Sequence, residues 1–140
     1  PRGLANIEQL TRYLRLQGIC PDVVLCSSAR RTRETLDGIS AGLSGEPEVA
    51  IETALYCASK QQLLDRVRDL PAYADGAMVI GHNPGLRDLA LLLAGTGSNT
   101  RLGAFPPGTL IALELCDDDW SCVGDGGCFV ADYVEPEGLS

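Results

Sequence analysis

Two short stretches of the sequence gather the residue types that handle an anion. The first is Cys26-Ser27-Ser28-Ala29-Arg30-Arg31-Thr32-Arg33-Glu34-Thr35, dense in guanidinium and hydroxyl groups, and the second is Gly81-His82-Asn83-Pro84-Gly85, which carries the only histidine of the chain. A guanidinium is permanently charged and offers its N–H donors as a planar fork that matches phosphoryl oxygens. An imidazole donates a hydrogen bond or moves a proton near neutral pH. Brought to one point beside a helix N-terminus, they would supply what a tetrahedral phosphoryl group needs as charge develops on it. One of the arginines Arg30, Arg31 and Arg33, together with His82 and the helix start at Asn83, is therefore the candidate site.

Each stretch reads as a strand-to-helix junction. Val23-Val24-Leu25-Cys26 is a short β-branched and apolar strand, and Ser27 or Ser28 can cap the helix expected over 29–43. Arg30, Arg31 and Arg33 fall in the first turn of that helix, where its positive end disfavours cations, so a ligand is the better reason for them. Ala77-Met78-Val79-Ile80 suits a strand covered on both faces. Asn83 is a favoured N-cap and Pro84 a favoured first helical residue, after which Leu86, Leu89, Ala90 and Leu93 recur at helical spacing until Gly95. Gly81 and Gly85 let backbone approach a ligand closely. If the two strands are sheet neighbours, both junctions open on the carboxyl edge, where open α/β sheets bind ligands.

The other elements frame these two. A helix is expected over 3–17 from Leu4, Ile7, Leu10 and Leu14, with Gly18 as its stop. A short strand is expected over 49–51, and Ser59 with Gln62 forms a capping box ahead of Leu63, Leu64, Val67 and Leu70, closed by Pro71. A Gly/Ser/Thr/Asn-rich loop covers 95–103; its glycines follow a helix, which excludes a dinucleotide fingerprint. Strands are expected over 109–115, 119–123 and 129–134, with Gly124-Asp125-Gly126-Gly127 as a turn. Helices alternating with strands, then a short antiparallel end, predict a three-layer α/β/α sandwich around a mixed, mostly parallel sheet.

Composition narrows the function classes. A chain of 140 residues is expected to be one domain with a proper core. The net charge of −8 argues against a nucleic-acid or anionic-membrane surface, since the excess of Lys and Arg that neutralises phosphates is missing. No apolar run approaches the length of a bilayer span. The six cysteines lack the close C-x-x-C pairs of a zinc site and are scattered, so they are expected to be reduced and mostly buried in a cytoplasmic protein. A cysteine phosphatase would place an arginine six positions after Cys26, where Thr32 stands, and the G-x-S-x-G of serine hydrolases is absent.

The sequence resembles the SixA-type phosphohistidine phosphatases, a small branch of the phosphoglycerate mutase-like histidine phosphatase superfamily. The resemblance runs over nearly the whole chain. It takes in Pro1-Arg2-Gly3, Pro21-Asp22-Val23-Val24-Leu25-Cys26-Ser27-Ser28, Arg31 with Thr35, Leu55-Tyr56, Gly81-His82-Asn83-Pro84-Gly85 and Phe105-Pro106. It implies that His82 is the second active-site histidine, which contacts and stabilises the transferring phosphoryl group. By its distance from Ser27 and Thr35, Arg31 would be the arginine that clamps the phosphoryl oxygens; Arg30 and Arg33 do not fit that position. No metal or cofactor is implied.

In the same family the nucleophile is a histidine in an Arg-His motif at the end of the first strand. With a single histidine in the chain, that residue and its strand are expected upstream of Pro1, so 1–140 reads as one histidine phosphatase-like domain truncated at its N-terminus. The resemblance implies hydrolysis through a phosphohistidine intermediate, with an open site that would take a phosphohistidine domain of a protein or a small phosphate ester. The alternatives are a small-molecule phosphomonoesterase and a non-catalytic phosphate-binding or interaction domain that keeps Arg31 and His82. An Arg-His pair after an upstream apolar strand separates the enzyme from the binder.

Overall fold

A computed structural model describes residues 2–95, 105–106 and 108–135. In chain order the elements are α1 (Arg2–Gln17), β1 (Val23–Ser27), α2 (Arg30–Ile39), β2 (Glu48–Glu52), α3 (Lys60–Arg68), β3 (Ala77–Ile80), α4 (Gly85–Ala94), β4 (Leu110–Leu115) and β5 (Cys128–Val134). The glycine-rich loop expected over 95–103 lies outside the described residues after Gly95.

The strand β1 lies between β2 and β3, parallel to both, with Cys26 opposite Ile51 on one side and Ile80 on the other. All five of its residues are buried, the result expected of a continuous apolar run with neighbours at both edges and helices on both faces. Side-chain alternation splits the sheet between two cores. Val23, Leu25, Ala77 and Val79 pack with Leu63, Leu64 and Val67 of α3 and Leu89 and Leu93 of α4. On the opposite face Val24 and Cys26 pack with Leu36 of α2, while Met78 and Ile80 also meet Leu10 and Leu14 of α1 and Ile39 of α2. The order is therefore helix, sheet, helix. Leu25 is 1% exposed, and its truncation to Ala would cost about 2–5 kcal/mol.

Four local expectations are corrected. β3 is only partly buried along its length, because among the described strands it pairs with β1 alone; the fully covered strand is β1. β4 and β5 form the expected antiparallel pair, but among the described residues it is a separate two-stranded sheet and not part of one mixed sheet. No strand forms over 119–123, where Trp120–Cys122 is a 3-10 turn. The Asp119 carboxylate accepts both the N–H and the hydroxyl of Ser121, and such local bonds compete with a strand ladder. The helix expected over 29–43 ends at Ile39 and continues as a 3-10 turn, Ser40–Gly42. At Gly42 a Cβ would run into the Thr11 carbonyl of α1, so this close crossing requires glycine.

The capping box at α3 is present in both directions, Ser59 Oγ accepting from Gln62 N–H and Gln62 Oε1 from Ser59 N–H. From the last turn of α3, Arg66 makes a two-pronged pair with Glu52 at the end of β2, Nε to Oε1 at 2.7 Å and Nη2 to Oε2 at 2.9 Å. The six cysteines form no disulfide. Contrary to expectation most are not buried: Cys26 and Cys128 are, whereas Cys20, Cys57, Cys116 and Cys122 are exposed, lying in turns and at strand ends outside the two cores. No described helix is long and apolar enough to cross a membrane.

Candidate functional site

Because β1 and β3 are parallel neighbours in register, their carboxyl ends finish side by side. The two anion-handling junctions therefore open on the same edge of the sheet. Ser27 is the last residue of β1, and its Oγ lies 3.4 Å from His82 Nε2. The edge of the His82 ring also meets Tyr56, with centroids 5.8 Å apart and planes at 60°.

The first junction is built by hydroxyls. Neither serine caps α2; the N-cap is Ala29, without a side-chain cap. Instead Ser27 Oγ accepts from Ala29 N–H at 3.3 Å, and buried Thr32 Oγ1 donates to the carbonyls of Ser27 and Ala29, each at 2.8 Å. These bonds fold the start of α2 back over the end of β1. They leave the three arginines in different circumstances. Arg30 is tied to Glu34 one turn on, Nε to Oε1 at 2.7 Å. Among the described residues Arg31 makes no side-chain hydrogen bond or ion pair and is exposed, so its fork is available to a ligand. Arg33 is also exposed, on the first turn of α2.

The second junction differs from expectation at its cap. Pro84, not Asn83, is the N-cap of α4, again without a side-chain cap. The Asn83–Pro84 peptide is cis, and the His82 carbonyl accepts from Leu86 N–H at 2.9 Å. One of the helix-end donors expected to face an anion is thus engaged by the backbone of His82 itself. Asn83 turns its amide elsewhere, Nδ2 donating to the Phe105 carbonyl at 3.0 Å. Phe105 is buried with φ at +58°, its N–H donates to the Tyr133 hydroxyl at 3.0 Å, and that hydroxyl donates to Glu135 at 2.6 Å. Asn83 therefore ties the His82 turn to β5.

Nucleophilic cysteine chemistry has no support at this edge. Burial pushes the Cys26 thiol up, against smaller opposing effects of Thr32 and Arg33, and a thiol held protonated is a poor nucleophile. A surface hollow lined by Ala54, Leu55, Gln62, Asp65, Arg66 and Asp69 contains neither His82 nor Arg31. Ser27 and Tyr56 are the two contacts of His82 to which the sequence reading gave no role. Ser27 had a signal, since it stands four residues before Arg31; the approach of Tyr56 to His82 is a tertiary event.

No family model matches the chain. It is 29% identical over 99 residues to an uncharacterised protein of Mycobacterium leprae, covering 71% of this chain and 59% of that protein. It is 30% identical over 94 residues to an uncharacterised protein of Mycobacterium tuberculosis, covering 67% of this chain and 57% of that protein. The chain thus spans less than two thirds of these relatives. Among solved structures it superimposes on a protein of Nakamurella multipartitia assigned as a SixA phosphohistidine phosphatase, with a TM-score of 0.85, 25% identity, and coverage of 97% of this chain and 83% of that one. A counterpart from Agrobacterium tumefaciens gives a TM-score of 0.79 at 20% identity, covering 96% and 80%. The protein histidine phosphatase SixA complexed with tungstate gives 0.79 at 19% identity, covering 99% and 83%.

Proposed function

We propose that this chain, which has the fold of the SixA-type phosphohistidine phosphatases, is the greater part of a phosphatase that removes a phosphoryl group from a protein histidine. The observation that carries the reading is the parallel pairing of β1 with β3, which sets Ser27 at 3.4 Å from His82 on the edge where Arg31 is exposed.

The roles follow from the chemistry of each group. Arg31 clamps the phosphoryl oxygens with its fork, which no acidic partner among the described residues occupies. His82 donates to a phosphoryl oxygen and stabilises the charge that grows there during transfer. Asn83 holds the turn through Phe105 and lines the rim of the same edge. The nucleophile is a second histidine, upstream of Pro1 in an Arg-His motif that ends a preceding strand. Its nitrogen attacks phosphorus as the bond to the substrate imidazole breaks, the leaving nitrogen taking up a proton. Water then attacks the phosphoenzyme, frees the histidine and releases inorganic phosphate. The substrate is a cytoplasmic phosphohistidine protein; Arg31 and Asn83 are both exposed at this edge, which suits a site that must meet a side chain on a folded partner. Tungstate, bound by one of the structural neighbours, has the tetrahedral oxyanion shape that this site is built to hold.

The test is phosphate release from a phosphohistidine protein by the gene product expressed from its initiating methionine. Turnover should fall sharply in His82→Ala and in a variant of the upstream histidine, and an acid-labile phosphoenzyme should be trapped only when that upstream histidine is present. Phosphate binding without turnover would identify a non-catalytic binder, and turnover of small esters alone a phosphomonoesterase.

A further inference from the structure

We propose that Ser27 is the positioning residue of His82: its hydroxyl donates to Nε2 and so holds the neutral imidazole in the tautomer that carries its proton on Nδ1. The inference rests on hydrogen-bond accounting at a buried atom. Ser27 is 0% exposed, so its hydroxyl proton needs a partner within the protein. Among the described residues its Oγ has two hydrogen-bonding neighbours, Ala29 N–H at 3.3 Å and His82 Nε2 at 3.4 Å. A backbone amide can only donate, so Ala29 occupies a lone pair of Oγ and cannot receive its proton. The ring nitrogen remains as the acceptor. No buried side-chain oxygen or nitrogen among the described residues lacks a partner; for the Ser27 oxygen the Ala29 N–H already meets that need, and it is the hydroxyl proton that is left to His82 Nε2.

An Nε2 that accepts carries no proton, and a neutral imidazole must then be protonated on Nδ1. The opposite arrangement would aim Nε2–H and Ala29 N–H at the same oxygen and leave the proton of a serine that is 0% exposed with no acceptor among the described residues. The backbone fixes the geometry: Cys26 is in register with Ile80, so Ser27 emerges beside Gly81, one residue before His82. At 3.4 Å the contact lies at the long end of the hydrogen-bond range. Tyr56 bears on the ring from another direction, so it is held by two contacts of different kinds.

The tautomer matters to the proposed reaction because it decides which nitrogen of His82 is the donor to the phosphoryl group. That consequence rests on the phosphatase reading; the tautomer itself does not, and it can be read without substrate. With one histidine in the chain, a long-range proton–nitrogen correlation spectrum of the nitrogen-15-labelled 140-residue protein shows a single imidazole. On the neutral ring Nδ1 should give the shift of a protonated nitrogen and Nε2 that of an unprotonated one. Ser27→Ala should lose this bias and populate the Nε2–H form, Ser27→Thr should restore it, and Ser28→Ala should leave it unchanged. A wild-type ring protonated on Nε2 would overturn the proposal, as would a folded Ser27→Ala protein with the wild-type pattern. If Ser27→Ala fails to fold, the wild-type spectrum alone decides. Absence of phosphatase activity alongside the expected tautomer would count against the function and leave the positioning role in place.

Discussion

The hydroxyl of Ser27 and the Nε2 of His82, fifty-five positions apart in sequence, lie 3.4 Å from one another across the paired ends of β1 and β3. This contact couples the arginine-bearing junction to the histidine-bearing one. Anything that shifts one strand end against the other should be felt at both.

Arg31 and Arg30 should separate clearly in kinetics. On the proposed mechanism, Arg31→Ala in the intact protein removes a fork directed at developing phosphoryl charge, an effect of about 3–4 kcal/mol, or ~10²–10³ in kcat. Arg30 is already engaged by Glu34 on the surface, so Arg30→Ala should change kcat several-fold at most. Equal losses in the two variants would move the phosphoryl clamp away from Arg31.

Anion binding and turnover should come apart in the 140-residue chain. It contains one histidine, so under the proposed two-histidine mechanism it should release no phosphate from phosphohistidine. Isothermal titration should still detect weak tungstate binding that Arg31→Ala and His82→Ala each diminish. Robust hydrolysis by this chain would make His82 or a cysteine the nucleophile and remove the basis for the proposed mechanism.

Gly85 should tolerate no side chain. A Cβ there would run into the carbonyl oxygen of Ala58, a backbone atom that cannot swing away. Gly85→Ala should cost about 1–3 kcal/mol in urea unfolding. Because Gly85 opens α4 three residues after His82, the same variant should also weaken tungstate binding. Unchanged stability would mean that the junction has slack.

The Glu52–Arg66 pair predicts part of the acid sensitivity. The hydrogen bonds from Arg66 hold the Glu52 carboxyl below its ordinary value of 4.5, with burial opposing them and the Arg66 charge adding to the shift. A carboxyl lowered in the folded state stabilises fully above its unfolded value and loses that contribution as pH falls through the folded one. For a pair about a quarter exposed on each side, the contribution is about 1 kcal/mol. Glu52→Gln should therefore narrow the stability difference between pH 7 and pH 3, measured by urea unfolding at each. A difference as large as that of the wild type would exclude the pair as a contributor.

Thiol counting should distinguish the cores from the surface. Four cysteines, Cys20, Cys57, Cys116 and Cys122, are exposed, while Cys26 and Cys128 are buried with thiols pushed up mainly by burial. An unreduced native sample should react promptly at four positions and at all six after denaturation. A denatured count near zero would instead indicate disulfides and an oxidising compartment.

The sequence alone determined most of what is local or periodic. Helical spacing of Leu63, Leu64 and Val67 with the Ser59–Gln62 box located α3; the apolar runs located β1 and β3; and the residue types at the two junctions indicated anion chemistry. What it could not determine depends on which side chains meet across the fold. Asn83 and Pro84 have ideal types for N-cap and first helical residue, yet the Phe105 carbonyl takes the Asn83 amide and the cap shifts to Pro84. The alternating residues around Trp120 suit a strand, but the Asp119 carboxylate and the bond from Trp120 Nε1 to the Ala74 carbonyl hold a 3-10 turn there. Ser27 was legible as a motif residue, whereas its contact with His82 depends on β1 and β3 pairing in parallel, a register fixed by alternate side chains filling two cores at once. Residue type and period settle short-range choices because their energies are local. Long-range pairings are decided by packing and by the partners of buried polar groups, which only the tertiary structure brings together.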